Sequence, residues 1–205
     1  MKTTALIANG EFQNSAILVE KIKTCQRIVA VDGGLKYCHA IGIAPDRICG
    51  DFDSCPPALL EHYPNVPLTQ LQKDKDKTDL EVAIESEIDQ CDFLVIFGGW
   101  GLRIDHSLTN ALILTRYPGR ITLETENELL FALQPSSRLH CTPGQTLSLI
   151  PMNGPATGIT TSGLKWELSN KHLDSHFVGI SNVCRKSMID IQFIGGSLLC
   201  CLQKI

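Results

Sequence analysis

"RIVAVDGGLKYCHAIGIAPDRICGDFDS", residues 27–54, holds the pattern that decides the fold. It opens on a near-continuous apolar strand, "RIVAVD", followed by two glycines. "GLKYCHAIG" fits a short helix closed by Gly42, and "DRICGDFD" reads as a second strand. Two strands of this kind around one helix form the repeating unit of a parallel sheet covered on both faces.

Outward from this stretch the alternation continues. "TTALIAN" is strand-like, and "SAILVEKIKTC" has helical spacing with Ser15 as its N-cap. Downstream, "PPALLEHY" is a short helix, "VPLTQLQ" a strand, "TDLEVAIESEID" a helix and "DFLVIFGG" a buried strand. "DHSLTNALILTRY" is a helix ended by Pro118 and Gly119. From about residue 120 the pattern changes to short strand-like runs such as "RITLETE", "QTLSLIPM" and "MIDIQFIGGSLLCCL", broken by Gly, Pro, Asn and Ser. The expected architecture is an α/β protein: a parallel-sheet domain over 1–118, then an all-β sandwich domain over 119–205.

The composition narrows the function. The chain has 205 residues, 43% apolar and 20% charged, with a net charge of −4 and no long basic run. That charge pattern gives no electrostatic footprint for DNA or RNA. No apolar stretch approaches the roughly 20 residues of a membrane span, and the N-terminus lacks the shape of a signal peptide. Nine cysteines occur with no C-x-x-C pair, which suits buried free thiols in a reducing cytoplasm. A cytoplasmic protein with a small-molecule substrate is the expectation.

In open parallel sheets, ligands bind beyond the carboxyl ends of the strands. Four of those ends carry unusual residues. "VDGG" ends the second strand with Asp32. "GDFDS" follows the third with Asp51 and Asp53. "KDKDKTD" leads to Asp79 at a helix start, and "FGGWGLRIDH" follows the fifth. In an extended chain Asp51 and Asp53 project to one side, roughly 6–7 Å apart. Two unpaired carboxylates there would suit a hard dication, and Mg²⁺ takes a carboxylate or two plus substrate phosphates. A solvated Asp-rich turn, or Asp53 as the cap of the next helix, explains the same residues without a metal. "TDLE" at 78–81 is a capping box, so Thr78 and Glu81 need no chemical role. Asp79 suits the helix dipole and joins the metal group only through Asp51 and Asp53. The glycine loop, with Gly98, Gly99 and Gly101 before a helix, can bring backbone amides to an anion, and Arg103 adds a fork-shaped donor. His106 fits either a structural imidazole or a general base.

In combination, "VDGG", "P-x-x-x-x-GDFDS", "KDKTDLE", "GG-x-G-x-R-x-DH-x-x-x-N" and "GLKW" at 163–166 resemble the thiamine pyrophosphokinase family. The resemblance implies transfer of a pyrophosphoryl group from ATP to the hydroxyl of thiamine, giving thiamine diphosphate and AMP, with Mg²⁺ and as a homodimer. It assigns Asp51, Asp53 and Asp79 to the metal and Asp32 to the reacting groups. Gly98, Gly99, Gly101, Arg103, Asp105 and Asn110 would contact ATP and its phosphates, with Lys75 or Lys77 as further cations. Trp166 would stack on thiamine, with Ser181 and Asn182 beside it; a tryptophan in a β-domain is otherwise usually core. The family's loop often reads "GGxGGRxDH", and Leu102 stands here for its fourth glycine. A pyrophosphokinase for another heterocyclic alcohol, such as a hydroxymethylpterin, and a non-catalytic nucleotide-binding protein are the alternatives.

Overall fold

The computed structural model describes residues 1–205, and the chain forms two compact units. One comprises Met1–Asn110 with Leu123–Glu126, the other Ala111–Thr122 with Asn127–Ile205.

In the first unit the strands are β1 (Thr3–Ile7), β2 (Arg27–Val31), β3 (Arg47–Gly50), β4 (Leu68–Gln70) and β5 (Phe93–Phe97). They pair in parallel in the order β4-β3-β2-β1-β5. After β4 the chain crosses back to lay β5 on the far side of β1, so the winding direction reverses between those two strands. The carboxyl side of such a reversal is where open sheets bind ligands. Both faces of the sheet are covered: Ala5, Leu6 and Ile7 of β1 have no exposed surface. Each fully buried Leu or Ile adds about 1.5–3 kcal/mol relative to exposure.

Helix α1 (Ala16–Thr24) starts where Ser15 Oγ accepts the Leu18 amide, and it buries Leu18 and Ile22, one turn apart, against the sheet core. Helices α2 (Leu35–Ala40) and α3 (Pro57–Leu60) are short. Helix α4 (Asp79–Glu87) begins at Thr78, whose hydroxyl accepts the Glu81 amide, as its capping sequence requires. At its other end Glu87 is completely buried. Its carboxylate takes Arg27 Nε at 2.7 Å and Arg47 Nη1 at 3.3 Å, which ties α4 to β2 and β3. Helix α5 (Ile104–Leu114) follows the glycine loop.

Strand β6 (Ile121–Glu124) follows α5, and the second unit contains β7 (Glu128–Ala132), β8 (Ser136–His140), β9 (Thr146–Ser162), β10 (Lys171–Leu173), β11 (Gly179–Val183), β12 (Met188–Gln192) and β13 (Gly195–Gln203). All pair antiparallel in the order β7-β13-β9-β12-β8, and β10 and β11 also pair with β9. Strand β9 runs through two layers. Its first part pairs with β11 and β13 and its last with β10 and β12. Between them Asn153 and Gly154 adopt positive φ and bend the strand. Between the layers Leu147, Leu149, Ile159, Leu173, Ile189, Ile191 and Leu198 are buried. This is the expected antiparallel sandwich.

The strand expected to continue through Asp53 stops at Gly50. Phe52 has φ +62°, in the left-handed region, so the two-residue alternation breaks between the two aspartates. All nine cysteines are free thiols, and no helix is long and apolar enough to cross a membrane.

Candidate active site

A cleft of about 400 Å³ opens at the carboxyl ends of β1, β2, β3 and β5. Five chain segments converge on it, and each contributes an acid or a glycine turn.

Asp32 follows β2 in a single 3₁₀ turn, Asp32–Gly34. That turn lies directly on β1. A Cβ at Gly34 would sit 1.9 Å from the Ile7 carbonyl oxygen, so only glycine lets the two backbones meet. Asp32 is 9% exposed, and its Oδ1 has no hydrogen-bond partner. Burial pushes its carboxyl above the usual range. The Gly33 amide and the Ser54 hydroxyl pull it back, while the charges of Asp79 and Asp53 push it further up.

Asp32, Asp51 and Asp79 each direct an oxygen into a cluster in which all lie within 4.8 Å of one another. Three carboxylates from three separate loops, one of them buried with an orphaned oxygen, fit a hard divalent cation with oxygen ligands. Asp53, the other aspartate expected at the metal, lies outside this trio. Its amide donates to Asp51 Oδ1 at 3.0 Å, and its own Oδ1 accepts the Ser54 hydroxyl at 2.9 Å. The left-handed Phe52 is the cause: it folds 51–53 into a turn that orients Asp51 and leaves Asp53 on the wall of the same cleft. Asp32 takes the third position. Lys75 also lines the cleft, with Nζ 2.6 Å from Asp79 Oδ1.

The glycine loop is fastened to the segment after β1. Gly10 donates its amide to Gly98 O at 2.6 Å, and Glu11 donates to Trp100 O at 2.6 Å. Gly98 has φ +65°, and a Cβ there would meet Ala8 O at 2.5 Å. From the helix side, Asn110 Nδ2 donates to Gly99 O at 2.6 Å, and the Ser107 hydroxyl accepts the Gly101 amide. Asn110 is buried, and this bond gives its amide a loop-holding role. Arg103 and Asp105 form a two-pronged ion pair, Nη2–Oδ2 at 2.5 Å and Nε–Oδ1 at 3.1 Å. Arg103 foremost holds the Asp105 carboxyl down to about 2. Both side chains are about two-thirds exposed, so Arg103 is available to an anion that outcompetes Asp105. Gly99, Gly101 and His106 also line the cleft.

Leu102 has φ +61° and is 74% exposed. The backbone conformation therefore explains the glycine expected at that position, and leucine bears left-handed strain of about 1–2 kcal/mol. Leu102→Gly should hold or raise stability, whereas the β-branched Leu102→Val should lower it by about 1 kcal/mol or more. Urea unfolding of the two variants checks this.

On the second unit Trp166 is 54% exposed, which removes it from the core. Its mount is rigid. Asn182 Oδ1 accepts the Trp166 amide at 3.1 Å, and Asn182 Nδ2 donates to the Trp166 carbonyl at 2.7 Å. Asn182, expected beside the ligand, thus spends most of its amide on Trp166. Ser181 has φ +58° and donates its amide to Ser148 Oγ at 3.0 Å. Lys165 Nζ lies 4.1 Å from the indole centroid, showing that the ring face accepts a cation.

Beyond the residues expected from the sequence, Asn9, Gly10 and Ser54 line the cleft and Ser107 braces its loop. Asn9 and Gly10 stand at the carboxyl end of the first parallel strand, so the rule that singled out the other four ends also covers them. Asn9 Oδ1 is buried without a partner and faces Gly33, where a Cβ would come within 2.6 Å of it.

Comparisons with known proteins place the chain in a family. The family model "Thiamin pyrophosphokinase, catalytic domain" matches residues 18–124, over half of the chain. "Thiamin pyrophosphokinase, vitamin B1 binding domain" matches residues 133–198. Thiamine pyrophosphokinase 1 of rice, Oryza sativa subsp. japonica, is 30% identical over 168 residues, covering 72% of this chain and 62% of its own length. The chain thus spans about three-fifths of that plant relative. Thiamine pyrophosphokinase of Bacillus subtilis is 28% identical over 185 residues, covering 84% of this chain and 85% of its own. The crystal structure of a Bacillus subtilis thiamine pyrophosphokinase superimposes with a TM-score of 0.86 at 25% identity over 99% of both chains.

Proposed function

Because this chain belongs to the thiamin pyrophosphokinase family, we propose that it transfers pyrophosphate from ATP to thiamine, releasing AMP. The observation that carries this reading is the gathering of Asp32, Asp51 and Asp79 at the sheet's reversal point, under a glycine loop that opens a helix. Those three residues would hold Mg²⁺. When bound, the ion neutralises charge on the ATP phosphates, the main electrostatic demand of such transfers. Asp32, expected from the sequence to orient the thiamine hydroxyl, is assigned here to holding the cation.

The protein's own groups supply the rest. Backbone amides of the glycine loop and the exposed Arg103 guanidinium receive phosphate oxygens. Buried Asn110 and Ser107 keep that loop in shape, so its donors need little reorganisation when the nucleotide arrives. The thiamine hydroxyl oxygen attacks the β-phosphorus in line. The bond between the β-phosphorus and the α,β-bridging oxygen breaks, AMP leaves carrying the bridging oxygen, and the hydroxyl proton passes to solvent. Alignment of the two substrates matters more than a strong base, since an alcohol in such a reaction loses its proton late.

Trp166 is the proposed platform for thiamine, a flat cation. The match to a vitamin B1 binding domain favours thiamine over a pterin alcohol. We assign the protein to a homodimer, consistent with Phe177 and Ile180 remaining exposed near Trp166 in the sequence. Nine free thiols suit the cytoplasm. Trp166→Ala should raise the thiamine KM roughly 3- to 30-fold with little change in kcat, as loss of cation–π stacking predicts. An unchanged KM would remove Trp166 from the site.

Incubation of the protein with Mg²⁺, ATP and thiamine tests the reaction by mass spectrometry. Equimolar AMP and thiamine diphosphate are expected. ADP with thiamine monophosphate, or product from a hydroxymethylpterin but none from thiamine, would refute the assignment.

A further inference from the structure

Three carboxylates gathered this closely need positive charge whether or not a metal is present. The nearest cation belongs to the protein: Lys75 Nζ sits 2.6 Å from Asp79 Oδ1 and donates to the Gln72 carbonyl at 2.8 Å. This is no solvated surface pair, because the two side chains are only 19% and 16% exposed. Nor does helix stability account for it. Lys75 precedes the N-terminus of α4, where the helix dipole disfavours a cation. Lys77, two residues on, is engaged elsewhere. Its Nζ donates to both Glu85 oxygens at 2.7 Å, and its side chain is 48% exposed.

We infer that Lys75 is the built-in counter-ion of the carboxylate cluster, holding Asp79 in the metal-free protein and yielding it when the divalent cation enters. The inference rests on the metal reading above and adds to it. An ammonium on a flexible four-carbon stem suits such an exchange, because it is a compact charge that reorients without strain. An ammonium 2.6 Å from Asp79 Oδ1 and a dication on the same carboxylate repel each other, so entry of the ion weakens the hold of Lys75 on Asp79. Displaced from Asp79, the ammonium remains in the cleft that Lys75 lines, where nucleotide phosphates give it new partners. The cluster is then charge-compensated in both states. Metal alone must compete with Lys75, whereas metal arriving with a polyphosphate gives the lysine somewhere to go. Metal and nucleotide therefore bind with positive coupling, and the coupling is reciprocal.

Direct metal titration of the protein without nucleotide tests this, with Mn²⁺ followed by electron paramagnetic resonance. Lys75→Met should bind Mn²⁺ about tenfold more tightly than the unmodified protein, since one competing charge is gone. The same variant should bind Mg²⁺ with a non-hydrolysable ATP analogue about tenfold more weakly, since a phosphate partner is gone. Lys75→Arg, which keeps the charge, should retain the unmodified Mn²⁺ affinity. If Lys75→Met fails to fold, Lys75→Gln carries the same expectation and can still meet the Gln72 carbonyl. Unchanged or weaker Mn²⁺ binding by the neutral variant would overturn the role of Lys75 while leaving the metal site standing. Absence of Mn²⁺ binding in the unmodified protein would instead overturn the metal site, and this inference with it.

Discussion

Asp51→Asn is expected to lower turnover at saturating Mg²⁺ by at least about 100-fold while leaving the fold intact. The substitution removes a charged ligand from the cluster of Asp32, Asp51 and Asp79, and loss of about 3 kcal/mol of transition-state stabilisation corresponds to that factor. The fold should survive because an asparagine Oδ1 can still accept the Asp53 amide that closes the 51–53 turn. Asp53→Asn serves as the contrast. Its carboxylate lies outside the cluster and already takes the Ser54 hydroxyl, so its loss should cost less than about tenfold. Steady-state kinetics with circular dichroism of both variants would decide. Equal damage from the two substitutions would restore the side-by-side pair that alternation along a strand suggests.

Gly34→Ala is expected to destabilise the first unit by about 3 kcal/mol, near the upper end for overpacking, and to abolish activity with it. The added methyl would lie 1.9 Å from the Ile7 carbonyl oxygen and 2.7 Å from its carbon. Both are backbone atoms of β1, a strand paired on both edges, and cannot rotate away. The turn that carries Asp32 would have to lift off β1, taking the buried carboxyl out of the cluster. Gly144→Ala is the control: its φ of +97° is strained for alanine, but nothing lies within 4 Å of the new Cβ. It should lose only about 1 kcal/mol. Urea unfolding separates close approach from backbone strain, and similar losses at both positions would refute the packing argument.

The parallel layer was legible because its strands are apolar on both faces and its helices carry caps. Ser15 and Thr78 both accept the amide three residues on. The rule that ligands gather at strand ends led to Asp32, Asp51 and Asp79. It also led to Asp53, which lines the same cleft but lies outside the trio, because a two-residue period holds only while the backbone stays extended and the sequence does not announce the left-handed Phe52. Asn9 escaped notice because it bears no charge and stands in no glycine cluster. Asn110 and Asn182 were expected to meet ligands. An amide side chain serves a ligand or a neighbouring backbone equally well, and only the folded chain shows Gly99 and Trp166 as their partners. Leu102 marks the reverse case. A position where glycine was expected has a positive φ, and leucine tolerates it at the cleft edge.

Anomalous diffraction from crystals grown with Mn²⁺ would locate the cation. One strong peak is expected, with oxygens of Asp32, Asp51 and Asp79 about 2.2 Å away and the Lys75 ammonium withdrawn from Asp79. A peak coordinated by Asp53 in place of Asp32, or ordered Mn²⁺ only outside the cleft, would contradict that arrangement.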